Sequence, residues 1–304
     1  MKKRALVITI ILSMASAALW GCGENGAPEE VTSSSTQEAS VAEAVVEAST
    51  EASVEETKEA ARPTSLDDAL AYAILDHYKL VFMDGEAAGE GHILMDKEGD
   101  DSKGEQKCYV LSMFGTYEFQ NGNFVKSAGT GVIPCVITVE LKDDGEYYFV
   151  SYDEAEDGSS FVSSIKEMFP EKLWSRCITI DDDDRNELVK QERSYMEEYL
   201  GTIGREDVEV GDYSDFEHVL LTDLGVSVDV SNALLDVESG EGFEKKCPMW
   251  VGDREVIEED VRYTYKKEYD EKKDVVIYSK IKTDTGDVLE SSTYDAKTGK
   301  KVEK

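Results

Sequence analysis

From Gly23 to Thr64 the chain is built mainly of Glu, Ala, Ser, Thr and Val and carries no aromatic residue. Such a stretch cannot bury enough apolar surface to offset the entropy of ordering it, so any packed core must come from Ser65 onward. Residues 22–64 are therefore expected to form a disordered acidic tether. Alanine and glutamate over Ser40 to Ala61 would allow transient helix, but no apolar stripe is present to dock it. As a flexible coil, ~43 residues have an r.m.s. span of roughly 35–40 Å.

Ahead of the tether, Met1-Lys2-Lys3-Arg4 is followed by an uncharged run from Ala5 to Leu19 and then by Leu19-Trp20-Gly21-Cys22. A basic start, a short apolar run and a small residue before the cut form the plan of an export signal. The run is short for a helix that must cross ~30 Å of hydrocarbon. Leu-x-Gly-Cys resembles a bacterial lipoprotein box. The resemblance implies a signal peptide over 1–21, a diacylated (palmitate-bearing) Cys22 and a lipid anchor on the extracellular face of the cell membrane. The alternative is an ordinary secretory signal with an incidental cysteine.

The formal net charge is −34. Loss of Lys2, Lys3 and Arg4 with the signal would bring it to −37, with −8 on Cys22–Thr64 and −29 on Ser65–Lys304. So negative a chain is repelled by nucleic acid and by anionic lipid, which makes both poor partners. Cations and basic envelope proteins are permitted, though most such charge is simply solvated surface. The length beyond the cut suits one large domain or two small ones.

Four further cysteines, Cys108, Cys135, Cys177 and Cys247, allow three disulfide connectivities. None forms a C-x-x-C pair, so neither a zinc knuckle nor a thioredoxin-like site is encoded. In Cys108–Phe119 the consistently apolar face is Tyr109, Leu111, Met113, Tyr117 and Phe119, which sets Cys108 on the other side. In Val132–Leu141 the apolar face includes Cys135. Since neighbouring strands share faces, a Cys108–Cys135 bridge is disfavoured, and free, partly buried thiols are expected.

Ser65 followed by Asp68 reads as a capping box, and Leu66, Leu70, Ala73, Ile74 and His77 recur at helical spacing. Alternating segments follow at Gly91–Asp96, Gln106–Phe119, Val132–Leu141 and Glu146–Tyr152, separated by polar turns. Two helices come next. One carries Phe161, Val162, Ile165, Met168 and Phe169 and stops at Pro170; the other spans about Asp184 to Leu200 and is ended by Gly201 and Gly204. Tyr213–Leu224 reads as a short helix. From Phe243 onward strand patterns dominate, with turns at Asp284–Asp287 and Asp295–Gly299. The fold class is α+β: an N-terminal helix and antiparallel β-meander with two following helices over 65–204, then a β-rich C-terminal unit over 205–304.

Four phrases in the first unit carry a family likeness: Ala73-Ile-Leu-Asp-His-Tyr78, Gly89-Glu-Gly-His-Ile-Leu94, Gly145-Glu-Tyr-Tyr-Phe-Val150 and Asp157-Gly-Ser-Ser-Phe-Val-Ser-Ser-Ile-Lys-Glu-Met-Phe-Pro170. In this order they resemble the extracytoplasmic region of clostridial membrane metallopeptidases of the BlaR/MecR antirepressor type, over about residues 65–204. The resemblance implies a Gram-positive source and an extracellular module associated with sensing. It does not imply peptidase activity, because that resides in an H-E-x-x-H motif which this chain lacks. No family site residue carries over.

Penicillin-recognising serine sites use S-x-x-K with a later K-T-G, and both strings occur, as Ser163–Lys166 and Lys297–Gly299. However, Ser163 falls inside a short helix, no S-x-N lies between the strings, and Lys297–Gly299 sits in an expected turn near the C-terminus. The strings are read as coincidence. Asp181–Asp184 with Asn186 and Glu187 offers hard oxygens for Ca²⁺, but the loop spacing of a calcium site is absent and acids favour a helix N-terminus without any metal. A pair drawn from the four thiols and His77, His92 or His218 has no local motif behind it. Trp250, Tyr263, Tyr265 and Tyr269, with Tyr278 and Tyr294, form either an aromatic platform for wall glycan or a protein partner, or an ordinary sheet-stabilising face; the second role is the commoner one. No catalytic residue, cofactor or metal is assigned. The expected function is that of a membrane-anchored, non-catalytic binding or sensing lipoprotein; the alternative is a peptidoglycan or peptide hydrolase with a site assembled from distant residues. An importer's substrate-binding lipoprotein fits poorly, since repeated βα units are not visible.

Overall fold

Residues 61–82 and 85–303 are described in the computed structural model of this chain. The export signal, Cys22 and nearly all of the expected tether lie outside them. The described residues from Arg62 onward pack as one compact unit.

Ser65 begins the first helix, α1 (Leu66–Tyr78). Its hydroxyl accepts the Asp68 N–H at 3.0 Å and donates to the Asp68 carboxylate at 2.6 Å. Ala69, Leu70, Ala73, Ile74 and Tyr78 are buried along the helix. Five strands follow: β1 (Ala87–Glu98), β2 (Gly104–Gln120), β3 (Asn123–Gly129), β4 (Ile133–Leu141) and β5 (Tyr147–Glu154). β2 is the spine. It pairs antiparallel with β1 along one edge and with β4 and β3 along the other, while β5 extends the sheet beyond β4. β3 was not expected. Asn121 and Gly122, both with positive φ (50° and 80°), make the tight hairpin turn that returns it onto β2.

The spine is buried on both faces from Cys108 to Gln120, and this corrects the thiol argument. Cys108 lies opposite Ile137 and Val110 opposite Cys135. The two cysteines therefore share a face, one row apart, within a single core cluster. An apolar pattern marks a face only when the other face is wet. All four thiols are free and fully, rather than partly, buried.

After β5 come α2 (Phe161–Met168), a short α3 (Trp174–Ile178) and the long α4 (Asp182–Thr202), whose N-cap Asp181 accepts the Asp184 N–H at 2.8 Å. α4 crosses β1 where the strand is glycine: a Cβ on Gly91 would lie 2.9 Å from the Leu188 Cα, with the Leu188 carbonyl oxygen closer still. β6 (Val210–Asp212) then pairs in parallel with β3. The helix expected over Tyr213–Leu224 is instead a 3₁₀ turn, Tyr213–Asp215, then extended chain from Phe216, and then a second turn over 221–225. Asp212 and Asp215 cap each other's backbone, and Phe216 at φ −120°, ψ 153° ends the helical path. The extended chain then runs beside Val251, whose N–H donates to the Val219 carbonyl at 2.7 Å. α5 (Val228–Glu238), capped by Ser227, precedes an antiparallel meander of β7 (Gly252–Glu258), β8 (Val261–Asp270), β9 (Val275–Lys282) and β10 (Asp287–Asp295). Both turns expected here are present, with Gly286 and Gly299 at φ 74° and 68°.

One sheet runs through both halves, joined where Gln120 of β2 meets Arg254 of β7. The hydrophobic clusters do not mix in this way. One draws only on residues from Leu221 onward, and the other four only on residues up to Val210. Between them lies a polar seam. Arg262 of β8 grips Glu86 at 2.5 and 2.7 Å and Glu255 at 3.0 Å, while Arg205 bonds Glu255 at 2.7 Å and stacks 3.5 Å over Phe119. Among the described residues no helix is long and apolar enough to cross a membrane.

Candidate functional site

The phrase Gly89-Glu90-Gly91-His92 is a packing device. Its glycines admit α4, and the residues between and after them form a buried charge cluster. The His92 ring meets the Glu90 carboxylate at 3.0 Å and Asp67, in the first turn of α1, at 3.3 Å. Tyr195 of α4 donates to Glu90 at 2.9 Å, and Gln191 accepts the His92 backbone N–H at 2.9 Å. Burial opposes charge on the imidazole, but hydrogen bonds to Asp67 and Glu90 more than offset it and raise its pKa to about 10. His92 is thus an imidazolium that fastens α1 and α4 to β1, not a base poised near neutrality.

The other histidines are also engaged. His77 meets Glu154 at 3.2 Å and stacks on Tyr152 at 4.0 Å. His218 meets Gln120 at 2.9 Å, and burial holds its pKa below the ordinary imidazole value. Burial also raises the thiols, Cys108 to about 11 and Cys135, Cys177 and Cys247 to about 12. The Ser163 hydroxyl donates to the Ser160 carbonyl at 2.9 Å, and Lys297 pairs with Asp274 at 2.8 Å in the C-terminal turn. In the Asp181–Asp184 run, Asp181 caps α4 and Asp184 is clamped by Arg176 at 2.5 and 2.7 Å. Among the described residues no group of three or more potential ligands could hold a metal ion.

Of the aromatic set, Tyr263, Tyr265 and Tyr269 share one face of β8, as expected. Tyr265 (1% exposed), Tyr278, Tyr294 and Trp250 are buried, however, and Tyr263 and Tyr269 pack half-buried against the same cluster. The tyrosines form the core under α5 and present no open platform. Trp250 instead anchors the seam. Its indole N–H donates to Asn121 at 3.3 Å, and its ring meets the edge of His218, which stacks on Tyr213 at 3.7 Å. Tyr213 and Met249 remain exposed (47% and 62%).

The loop carrying Tyr213 is tied to α4 by Arg193, which reaches Asp212 at 3.3 Å and Asp215 at 3.5 Å. Beside this contact lies a cleft of about 400 Å³ lined by Arg193, Glu197, Leu200, Glu206, Val208 and Val210. Sequence reasoning missed it. Positions 193, 197 and 200 recur at i, i+4 and i+7 and so share a helix face, but only the fold brings Glu206–Val210 opposite them.

No protein-family model, curated protein or solved structure matches this chain.

Proposed function

We propose that this chain is a lipid-anchored, non-catalytic binding or sensing module on the outer face of the cell membrane, engaging an envelope protein or wall glycan. Anchoring is supported by the Leu19–Cys22 box, and the sensing role by the resemblance of residues 65–204 to antirepressor extracytoplasmic regions. One observation carries the non-catalytic reading: the side chains best suited to nucleophile or base are committed to the fold. His77, His92 and His218 each have a fixed partner, and all four described thiols are buried and reluctant to ionise. A catalytic thiol requires the opposite, a lowered pKa and access.

The test is alkylation with iodoacetamide at pH 8. In the folded chain Cys108, Cys135, Cys177 and Cys247 should remain unmodified over a period in which the urea-unfolded chain reacts fully. Rapid, selective modification of one of them in the folded chain would point to an enzyme instead.

A further inference from the structure

The cleft at the end of α4 is held open by hydrogen bonds at both of its walls. Gly204, at φ 70°, turns the chain back so that the Arg205 N–H reaches the Leu200 carbonyl at 2.9 Å. At the far side the Phe124 N–H donates to the Glu209 carbonyl at 2.8 Å, and β6 continues that pairing. The segment from Arg205 to Val210 is thus fixed at both ends opposite the Arg193–Glu197–Leu200 face. Leu200 is buried, and Val208 and Val210 are half-buried, giving an apolar floor. Glu197 and Glu206 are exposed at the rim and have no hydrogen-bond or ion-pair partner among the described residues. Arg193 already faces two carboxylates, so the local field is negative and disfavours an anionic ligand.

We propose that this cleft binds an alkylammonium group, a primary amine on an apolar stem, supplied as a free diamine or as a lysine side chain of a partner. The assignment rests on reading the chain as a binding module. Methylenes would lie along Leu200, Val208 and Val210 while the ammonium meets Glu197 and Glu206, the division of labour by which long cationic side chains cover apolar surface. A bare divalent cation is a worse fit. Calcium takes about six to eight oxygens, the rim offers two carboxylates, and the floor offers no side-chain oxygen. The volume also far exceeds that of a single ion.

Exposed ion pairs are individually weak, so a Kd of about 1 mM at low ionic strength is expected, weakening several-fold at high salt. The experiment is an NMR titration of the full chain with 1,5-diaminopentane, read at the Val208 and Val210 methyls, with 1,5-pentanediol as the uncharged counterpart. Nα-acetyl-lysine methylamide serves as the second arm. Saturable shifts with either amine and not with the diol support the site. Preference for the diamine identifies a free amine, and preference for the lysine derivative identifies a partner's side chain. Glu197→Gln with Glu206→Gln should weaken binding about tenfold, whereas the same charge change at exposed Asp182→Asn with Asp183→Asn should not. No saturable binding, or equal loss in both double variants, would overturn the assignment by reducing it to bulk charge. The binding-module reading stands or falls separately, on thiol reactivity and on the fate of Cys22.

Discussion

Gly91→Val is expected to lower the stability of the folded chain by about 3 kcal/mol or more, the upper range for forcing atoms into a packed interior. The reason is geometric. A Cβ at this position would meet the backbone of Leu188, with Leu188 carbon atoms at 2.9 Å, and backbone in the middle of a helix cannot rotate aside as a side chain can. α4 would have to lift from β1, which would also stretch the Gln191 hydrogen bond to the His92 N–H and the Tyr195 hydrogen bond to Glu90. Gly131→Ala is the internal comparison. A Cβ there meets nothing within 4 Å, so its effect should stay within about 0.5 kcal/mol, as for an ordinary surface change. Urea unfolding of the two variants reads the difference. A Gly91→Val chain as stable as the Gly131→Ala chain would mean that α4 does not lie on β1.

Lys126→Met should cost about 3–5 kcal/mol at pH 8, because it strands a buried carboxylate. Glu192 lies in the interior of α4, 2.8 Å from the Lys126 ammonium and 2.6 Å from the Tyr117 hydroxyl, with its side chain 2% exposed. The slot is cut by glycine: a Cβ on Gly115 would lie 2.6 Å from the Lys126 Cε and 2.9 Å from the Glu192 Cδ. Burial already raises the Glu192 pKa, against the lowering effect of Lys126. Without the lysine it rises further. A carboxyl whose folded pKa exceeds its unfolded one is most stabilising when protonated, so the deficit of the variant should be small near pH 4 and grow as pH climbs. Lys126→Met combined with Glu192→Gln keeps the Tyr117 contact and removes the charge, and should recover most of the loss. Denaturant unfolding at pH 4.5 and pH 8 tests both points. A pH-independent loss under about 1 kcal/mol would contradict the buried pair.

These two positions also show where sequence reading succeeds and where it stops. α1 is legible because Ser65 with Asp68 gives a local start signal ahead of a periodic face, and α4 is legible from its acidic start and periodic face, although it begins at Asp182, capped by Asp181, rather than at Asp184. The turn between β9 and β10 and the turn after β10 are legible because Gly286 and Gly299 stand where φ is positive, whereas the two earlier turns of the meander place Glu259, Asp260 and Asp274 there. β3 is not, since Asn123–Gly129 has one adjacent apolar pair and a lysine, and nothing local says that Lys126 turns inward to a helix far along the chain. The Tyr213–Leu224 segment misleads for a related reason. Its apolar residues serve a turn and a strand-like contact with Val251 rather than one helical face. The two-sided burial of β2 is likewise invisible, because it depends on α1 covering one face and on α4, with α2 and α3 beside Tyr109, covering the other. As for the cleft, the α4 residues lie at helical spacing in plain view, while their counterparts become neighbours only through the Gly204 turn. The seam is the clearest case: Glu86 and Arg262 are a long way apart in sequence, and neither is unusual where it stands.

The account as a whole depends on Cys22 carrying lipid. Growth of cells making the full chain with an alkyne-tagged palmitate, followed by mass spectrometry of its N-terminal peptide, tests this directly. The predicted result is a peptide beginning at Cys22 and bearing tagged acyl chains, with Cys22→Ala abolishing both the label and membrane retention. A chain that begins at Met1, bears no acyl group and is recovered from the cytosol would contradict it.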